Sequence, residues 1–270
     1  MDTFEVTFLG TNGSVAHNNG NRKKYGSNTL CIAVKAGEEV LLLDAGSGIY
    51  GLSGLTDYIK PNISLLFTHY HADHIEGLLF CRELFDPARK FTIYGSDSGG
   101  YDMHDVLENY LSPPISPVGF GEFRAGIDFK TIVDGDVIEY PSGVIVRVHS
   151  VSHPGGAFGY RVEYGGKSFC SCCDVELGNH KAGDGFLEFI HGADLLVLDS
   201  FFEDGKTTPG WGHSSWHESA SWAKQADVKK LALLHYAPYF TDDDIDDMQE
   251  KARGIFPNTF TAADHMMVGV

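Results

Sequence analysis

Between residues 69 and 74 the chain reads His69-Tyr70-His71-Ala72-Asp73-His74, three imidazoles and a carboxylate in six positions. Neutral imidazole and carboxylate are donors that zinc, iron and manganese accept. The cluster follows Ile63-Ser64-Leu65-Leu66-Phe67, an apolar run that reads as a buried strand, so the donors are bunched where a strand ends. Four donors here, with others downstream, are enough for two adjacent ions. The downstream candidates also stand at strand ends: His153 after Val144–Val151, Asp174 after Ser168–Cys172, and His235 closing Leu231–His235. A single histidine in such a place is more often a hydrogen-bonded structural residue. The case rests on all three following separate strands that can converge on one sheet edge.

The elements that must position these donors are legible as apolar runs. Strands are expected at Phe4–Leu9, Thr29–Val34, Val40–Asp44, Ile63–Phe67, Phe91–Tyr94, Phe129–Val133, Val144–Val151, Ala157–Tyr164, Ser168–Cys172, Leu195–Asp199 and Leu231–His235. Helices are expected near Ile49–Ile59, Asp73–Leu84, Ser98–Tyr110, Gly185–His191, Ser214–Ala226 and Asp242–Gly254. Early strands joined by short turns such as Ala36-Gly37-Glu38 suggest antiparallel pairing, and the later alternation with helices suits two packed sheets with helices outside, as one domain over residues 1–270. Leu111–Pro117, with three prolines, is expected to be a rigid extended loop. Thr241-Asp242-Asp243-Asp244 reads as a helix start, where acids favour the dipole.

Composition narrows the setting. The net charge is −17, from 20 Lys+Arg against 37 Asp+Glu, which disfavours long nucleic acid. The apolar share, 43%, allows a sizeable core, and no 18-residue apolar stretch suggests a membrane span. The N-terminus lacks a signal-peptide pattern. Five cysteines, three of them at Cys170, Cys172 and Cys173, argue against a disulfide framework and for a cytoplasmic location.

The motif His69-x-His71-x-Asp73-His74, followed in order by His153, Asp174 and His235, resembles the metallo-β-lactamase superfamily. Phe8-Leu9-Gly10-Thr11 and Leu43-Asp44-Ala45-Gly46 add to the likeness, which covers nearly the whole chain. The resemblance implies a four-layer αββα sandwich with the site at one edge of the paired sheets. It implies that His69, His71 and His153 hold one divalent ion, that Asp73, His74 and His235 hold a second, and that Asp174 bridges both. Cys172 and Cys173 beside Asp174 read as buried strand residues rather than ligands. A shell of nitrogen and oxygen is similar to that of the phosphodiesterase branch, which includes ribonuclease Z, and suits zinc first and manganese second.

Gly210-Trp211-Gly212-His213-Ser214 resembles an element of the same branch in which the histidine approaches the scissile phosphate. His213 is therefore the candidate to protonate the leaving group, since histidine titrates in the right range. The alternative makes Ser214 a helix N-cap and His213 its idle neighbour. Two-metal hydrolysis is the expected mechanism: a bridging hydroxide attacks phosphorus in line, and Asp73 orients it. Lys23 and Lys24 in the one basic island, together with Ser214 and Tyr110, are candidate substrate contacts. The small stand-alone members of the branch include cyclic-nucleotide-degrading enzymes, commonly dimeric. Their likeness implies a small phosphodiester substrate and a homodimer, with Tyr110 and Leu111–Pro117 as the arm. Glu76 departs from those relatives, which often carry glutamine there. RNA 3′-end cleavage and nucleotide sequestration without turnover are the alternatives. Gly46-Ser47-Gly48-Ile49-Tyr50-Gly51 fits a dinucleotide pattern, but the βαβ unit that should surround it is not clean, so no nicotinamide cofactor is expected.

Overall fold

The computed structural model describes residues 3–17, 20–97, 100–180 and 184–270. Among these residues, fourteen strands form two seven-stranded sheets. The first comprises β1 (Phe4–Gly10), β2 (Cys31–Ala36), β3 (Glu39–Leu43), β4 (Asn62–Leu66), β5 (Lys90–Gly95) and β6 (Gly126–Thr131), with the last strand, β14 (Met266–Gly269), beside β1. The second comprises β7 (Val137–Glu139), β8 (Ile145–Val151), β9 (Ala157–Tyr164), β10 (Lys167–Cys172), β11 (Leu195–Asp199), β12 (Leu231–Leu234) and β13 (Thr259–Thr261).

Each sheet is antiparallel in one half and parallel in the other. β14, β1, β2 and β3 pair antiparallel, and β3 to β6 pair parallel. β7 to β10 pair antiparallel, and β10 to β13 pair parallel. Side-chain alternation shows why the layers stack. In β2 and β3, Ile32, Val34, Leu41 and Leu43 join the core shared with the second sheet, while Cys31, Ala33, Val40 and Leu42 join a separate core with Ile49, Leu78 and Leu107. Both faces of these strands are buried, so each needs a covering layer. The result is the expected sandwich of two packed sheets with helical segments outside.

Helical segments are α1 (Ala72–Ile75), α2 (Met103–Tyr110), α3 (Phe186–Ile190), α4 (Trp216–Gln225) and α5 (Asp242–Ile255). The expected helix over Asp73–Leu84 is only α1 followed by 3-10 turns at Leu78–Phe80 and Arg82–Phe85. Gly77 packs so closely on the preceding turn that a Cβ would stand 2.0 Å from the Gly46 carbonyl oxygen. Ile49–Ile59 is likewise 3-10 structure, Ser47–Gly54 and Thr56–Tyr58. The helix expected from Ser98 begins at Met103 behind an Asp102 cap, and Ser98 lies outside the described residues. α4 and α5 carry full capping boxes, Ser215 with Glu218 and Thr241 with Asp244. No helix among the described residues is long and apolar enough to cross a membrane.

Candidate metal centre

Strand register delivers the donors to one edge. Cys172 of β10 pairs with Leu198 of β11, and Asp199 pairs with Leu234 of β12. Asp174, Asp199 and His235 therefore stand side by side at the ends of parallel strands. Asp44, at the end of β3, Asp174 and His235 all have left-handed backbones, with φ of 59°, 53° and 61°. Non-glycine residues held there are strained, and such strain concentrates at functional sites.

The structure brings together all seven candidate ligands. His69, His71, His153 and Asp174 form one group, and Asp73, His74 and His235 a second, with the donor atoms of each group within 4.8 Å of one another. Asp174 faces both. Its Oδ2 lies 3.7 Å from His69 Nε2 and 3.8 Å from His153 Nε2, while its Oδ1 lies 3.3 Å from His74 Nε2 and 2.9 Å from His235 Nε2. Asp73 Oδ2 is 3.6 Å from His74 Nε2 and 3.4 Å from His235 Nε2.

Several of these atoms are buried without a hydrogen bond: His69 Nε2, His74 Nε2, His235 Nε2 and Asp174 Oδ1. Buried polar atoms are rarely left so, and this many converging in one place fit cations. The donor separations suit coordination shells with bonds of about 2.0–2.2 Å.

The opposite ring nitrogens of His69, His74 and His153 are held by the protein, as is usual for metal-binding histidines, whereas Nδ1 of His235 has no hydrogen-bond partner among the described residues. His74 Nδ1 donates to Asp44 Oδ2 at 2.9 Å, and Asp44 also accepts from the Thr68 amide and hydroxyl. His69 Nδ1 lies 3.0 Å from the Thr68 hydroxyl, and His153 Nδ1 donates to the Gly212 carbonyl at 2.9 Å. The Ser14 amide donates to Asp73 Oδ2 at 2.6 Å.

Without metal the centre carries protons instead. Burial works against charge on His235, but Asp174 and Asp73 outweigh it and push the imidazole up to about 10. Burial also opposes charge on His74, yet Asp174, Asp44 and Asp73 hold it well above the usual histidine range. Asp174 sits well below the usual carboxylate range because His235 and His74 overcome its burial. Burial, reinforced by the His74 charge, drives His69 well down. Cys172 and Cys173 are fully buried, and that burial pushes both thiols well up, so neither offers a thiolate.

His213 stands beside this centre. Its Nδ1 donates to Asp199 Oδ2 at 2.8 Å, and its ring lies between Phe201, with centroids 4.4 Å apart, and His235, at 5.1 Å. Asp199 is completely buried and also caps the Phe201 amide. Glu176 fixes the loop below by accepting from the Gly210 and Gly212 amides. At Gly212, with φ of 79°, a Cβ would stand 2.2 Å from His153 Nδ1.

The sequence reading missed Asp199 and Glu176. The rule that found Asp174 also marks Asp199, since it too closes an apolar strand. Nothing local marks Glu176, whose amide partners are brought in by folding.

The substrate-contact candidates divide. Ser214 is corrected to a structural residue: it is fully buried, donates to the Val175 carbonyl and accepts from the Leu177 amide, which leaves nothing for a ligand. The N-cap of α4 is Ser215, not Ser214. In the basic island Arg22 is buried and donates to the Ala237 and Phe240 carbonyls, while Lys24 pairs with Asp246 on α5. The Lys23 amide donates to Asp242. The island thus fastens a loop to α5. Tyr110 is half-buried, with burial and then the Glu76 carboxylate raising its phenol. Glu76 itself accepts from the Thr29 hydroxyl at 2.6 Å.

A family profile described as beta-lactamase superfamily domain matches residues 40–236. The chain belongs to the metallo-β-lactamase superfamily. It is a metal-dependent hydrolase of that fold, whose members bind divalent metal ions. A Ribonuclease Z from Methanopyrus kandleri is 27% identical over 290 aligned positions, covering 98% of this chain and 97% of that protein. Among solved structures, the metallo-beta-lactamase fold protein YhfI from Bacillus subtilis superposes with a TM-score of 0.78 at 18% identity, covering 100% of both chains. A diphosphatase of the PhnP family gives a TM-score of 0.72 at 20% identity, covering 98% of this chain and 97% of its own.

Proposed function

We propose that this metallo-β-lactamase superfamily member is a dinuclear metal phosphodiesterase acting on a small phosphodiester, with cyclic nucleotides first among them. His213 carries the reading. One ring nitrogen is fixed by a buried carboxylate, and the other makes no hydrogen bond within the described residues, beside two groups of metal donors. Cleaving a phosphodiester requires a proton on the departing oxygen, and a histidine so oriented can supply it from Nε2. Asp199 fixes the orientation of the ring through Nδ1 and leaves Nε2 for the substrate.

His69, His71 and His153 would hold one ion, Asp73, His74 and His235 the other, and Asp174 both. The nitrogen and oxygen donor set favours zinc, then manganese. When bound, such a pair supplies Lewis acidity to a phosphoryl oxygen and lowers the pKa of water toward about 7. Asp73, anchored by the Ser14 amide, orients the attacking water. The charge of −17 favours a small substrate over a long polyanion. We take residues 1–270 as one hydrolase domain working in the cytoplasm as a homodimer, with Leu111–Pro117 as the arm.

The test is a turnover screen of zinc- and manganese-loaded protein on 3′,5′-cyclic mononucleotides, cyclic dinucleotides, bis(p-nitrophenyl) phosphate and precursor tRNA, with His69→Ala as control. Selective opening of a cyclic nucleotide is the expected result. Failure on every diester overturns the proposal, and tight nucleotide binding without turnover would make the protein a sequestering one. The 27% identity to a Ribonuclease Z across 98% of the chain favours RNA 3′-end cleavage as the second reading. Cleavage confined to precursor tRNA would establish that reading instead.

A further inference from the structure

On the His69 and His71 side of the centre lies a cleft of about 380 Å³, within the range of ~300–1,000 Å³ typical of small-molecule sites. Besides His69 and His71, it is lined by Tyr70, Tyr101, Val106, Pro154 and the glycine pair Gly155 and Gly156. Among the described residues, no lysine, arginine or carboxylate lines it.

The two tyrosines differ in what they have left to offer. Tyr70 donates its hydroxyl to the Ser96 carbonyl at 2.7 Å, and its ring packs on Phe67 with centroids 5.9 Å apart. It is a fixed wall that presents an apolar ring. Tyr101 is 69% exposed, a large aromatic left in solvent beside the metal donors. The glycine pair has φ of 84° and 85°, and a Cβ built on Gly155 would meet nothing within 4 Å. A side chain at Gly155 would project into open space, whereas glycine leaves flat backbone.

A phosphodiester anchored at the metal donors has two arms. The arm that enters this cleft meets flat, uncharged surfaces. A ribose–phosphate chain would bring its next charge to a place with no cation to receive it. A flat heteroaromatic ring gains from stacking and loses little solvation.

We infer that the cleft between Tyr101 and Pro154 is the seat of a nucleobase, stacked on Tyr101, and that the substrate is a single nucleotide unit rather than a continuing strand. This rests on the phosphodiesterase reading for its orientation, but its test does not require turnover. Binding of adenosine 5′-monophosphate and of ribose 5-phosphate to zinc-loaded protein is measured by calorimetry. The base should add about tenfold or more in affinity, the scale of one base–aromatic stack. Tyr101→Ala, at an exposed position that leaves the core untouched, should remove most of that gain and leave ribose 5-phosphate binding unchanged. Val106→Asp should act in the same direction.

Equal affinity for the two ligands, or an equal loss of both in Tyr101→Ala, overturns the subsite. Turnover of bis(p-nitrophenyl) phosphate is scored separately. Turnover without base-dependent binding sinks the subsite alone. Base-dependent binding without any turnover upholds the subsite and sinks the activity.

Discussion

The two halves of the metal centre are assembled by different means. His69, His71, Asp73 and His74 come from one short segment that runs from the end of β4 into α1, and their spacing is set by the local chain. His153, Asp174 and His235, with Asp199 and His213 beside them, come from separate strand ends and loops of the second sheet. Their meeting depends on the parallel register of β10, β11 and β12 and on two left-handed turns, at Asp174 and His235. The first half is a local motif and the second a property of the fold. Asp174 joins them, with one carboxylate oxygen toward each donor group.

That contrast can be broken most severely at the joint. Asp174→Ala should empty both positions, whereas His153→Ala and His235→Ala should each empty mainly one. Hydrolysis in Asp174→Ala should fall roughly 10³-fold or more, because several kcal/mol of charge stabilisation leaves with the ions. Metal content by elemental analysis and turnover of a phosphodiester check both claims. An Asp174→Ala protein that still holds one ion tightly would show the halves to be independent.

The second expectation is in protons. His235, at about 10, and His74, well above its usual range, are charged near pH 7 in the metal-free protein. Metal ions need both rings neutral. Loading should therefore release about two protons at pH 7 and weaken as pH falls, as titration calorimetry in buffers of different ionisation enthalpy would show. The sign for stability is opposite. In the metal-free state His235 contributes fully below its unfolded value of about 6.5 and loses that contribution as pH rises through about 10.

Asp199→Asn tests the fold-dependent half without touching a ligand. Metal content should stay, while kcat falls about 10²-fold or more through a misdirected His213. Combining it with His213→Ala should add little, because the two act as a unit. Additive losses would mean that Asp199 works through the core instead. The smallest effect belongs to Ser214→Ala, which should cost about 1–3 kcal/mol of stability, seen in a denaturant titration, and leave KM unchanged.

The same contrast explains what the sequence disclosed. The cluster at residues 69–74 is visible because its donors are contiguous. Asp174 and His235 are visible because apolar strands lead to them. The short edge strands β7, β13 and β14 went unread because segments of three or four residues carry little periodicity. The helix expected over Asp73–Leu84 failed at Gly77, where close packing on the turn at Gly46 decides the backbone. Ser214 looked like a ligand contact because a hydroxyl beside a functional histidine has no sequence mark that separates substrate from a buried carbonyl.

The position of Asp174 has a mechanical consequence. Ions held by residues 69 to 235 would tie the loop after β4 to the ends of strands in the other sheet, closing long stretches of chain with a few bonds. A chelator would then act as a denaturant at this edge: the metal-stripped protein should melt earlier and be cut sooner by proteases in the loops that carry His153 and His213. The centre is a clasp on the sandwich as much as a place for chemistry.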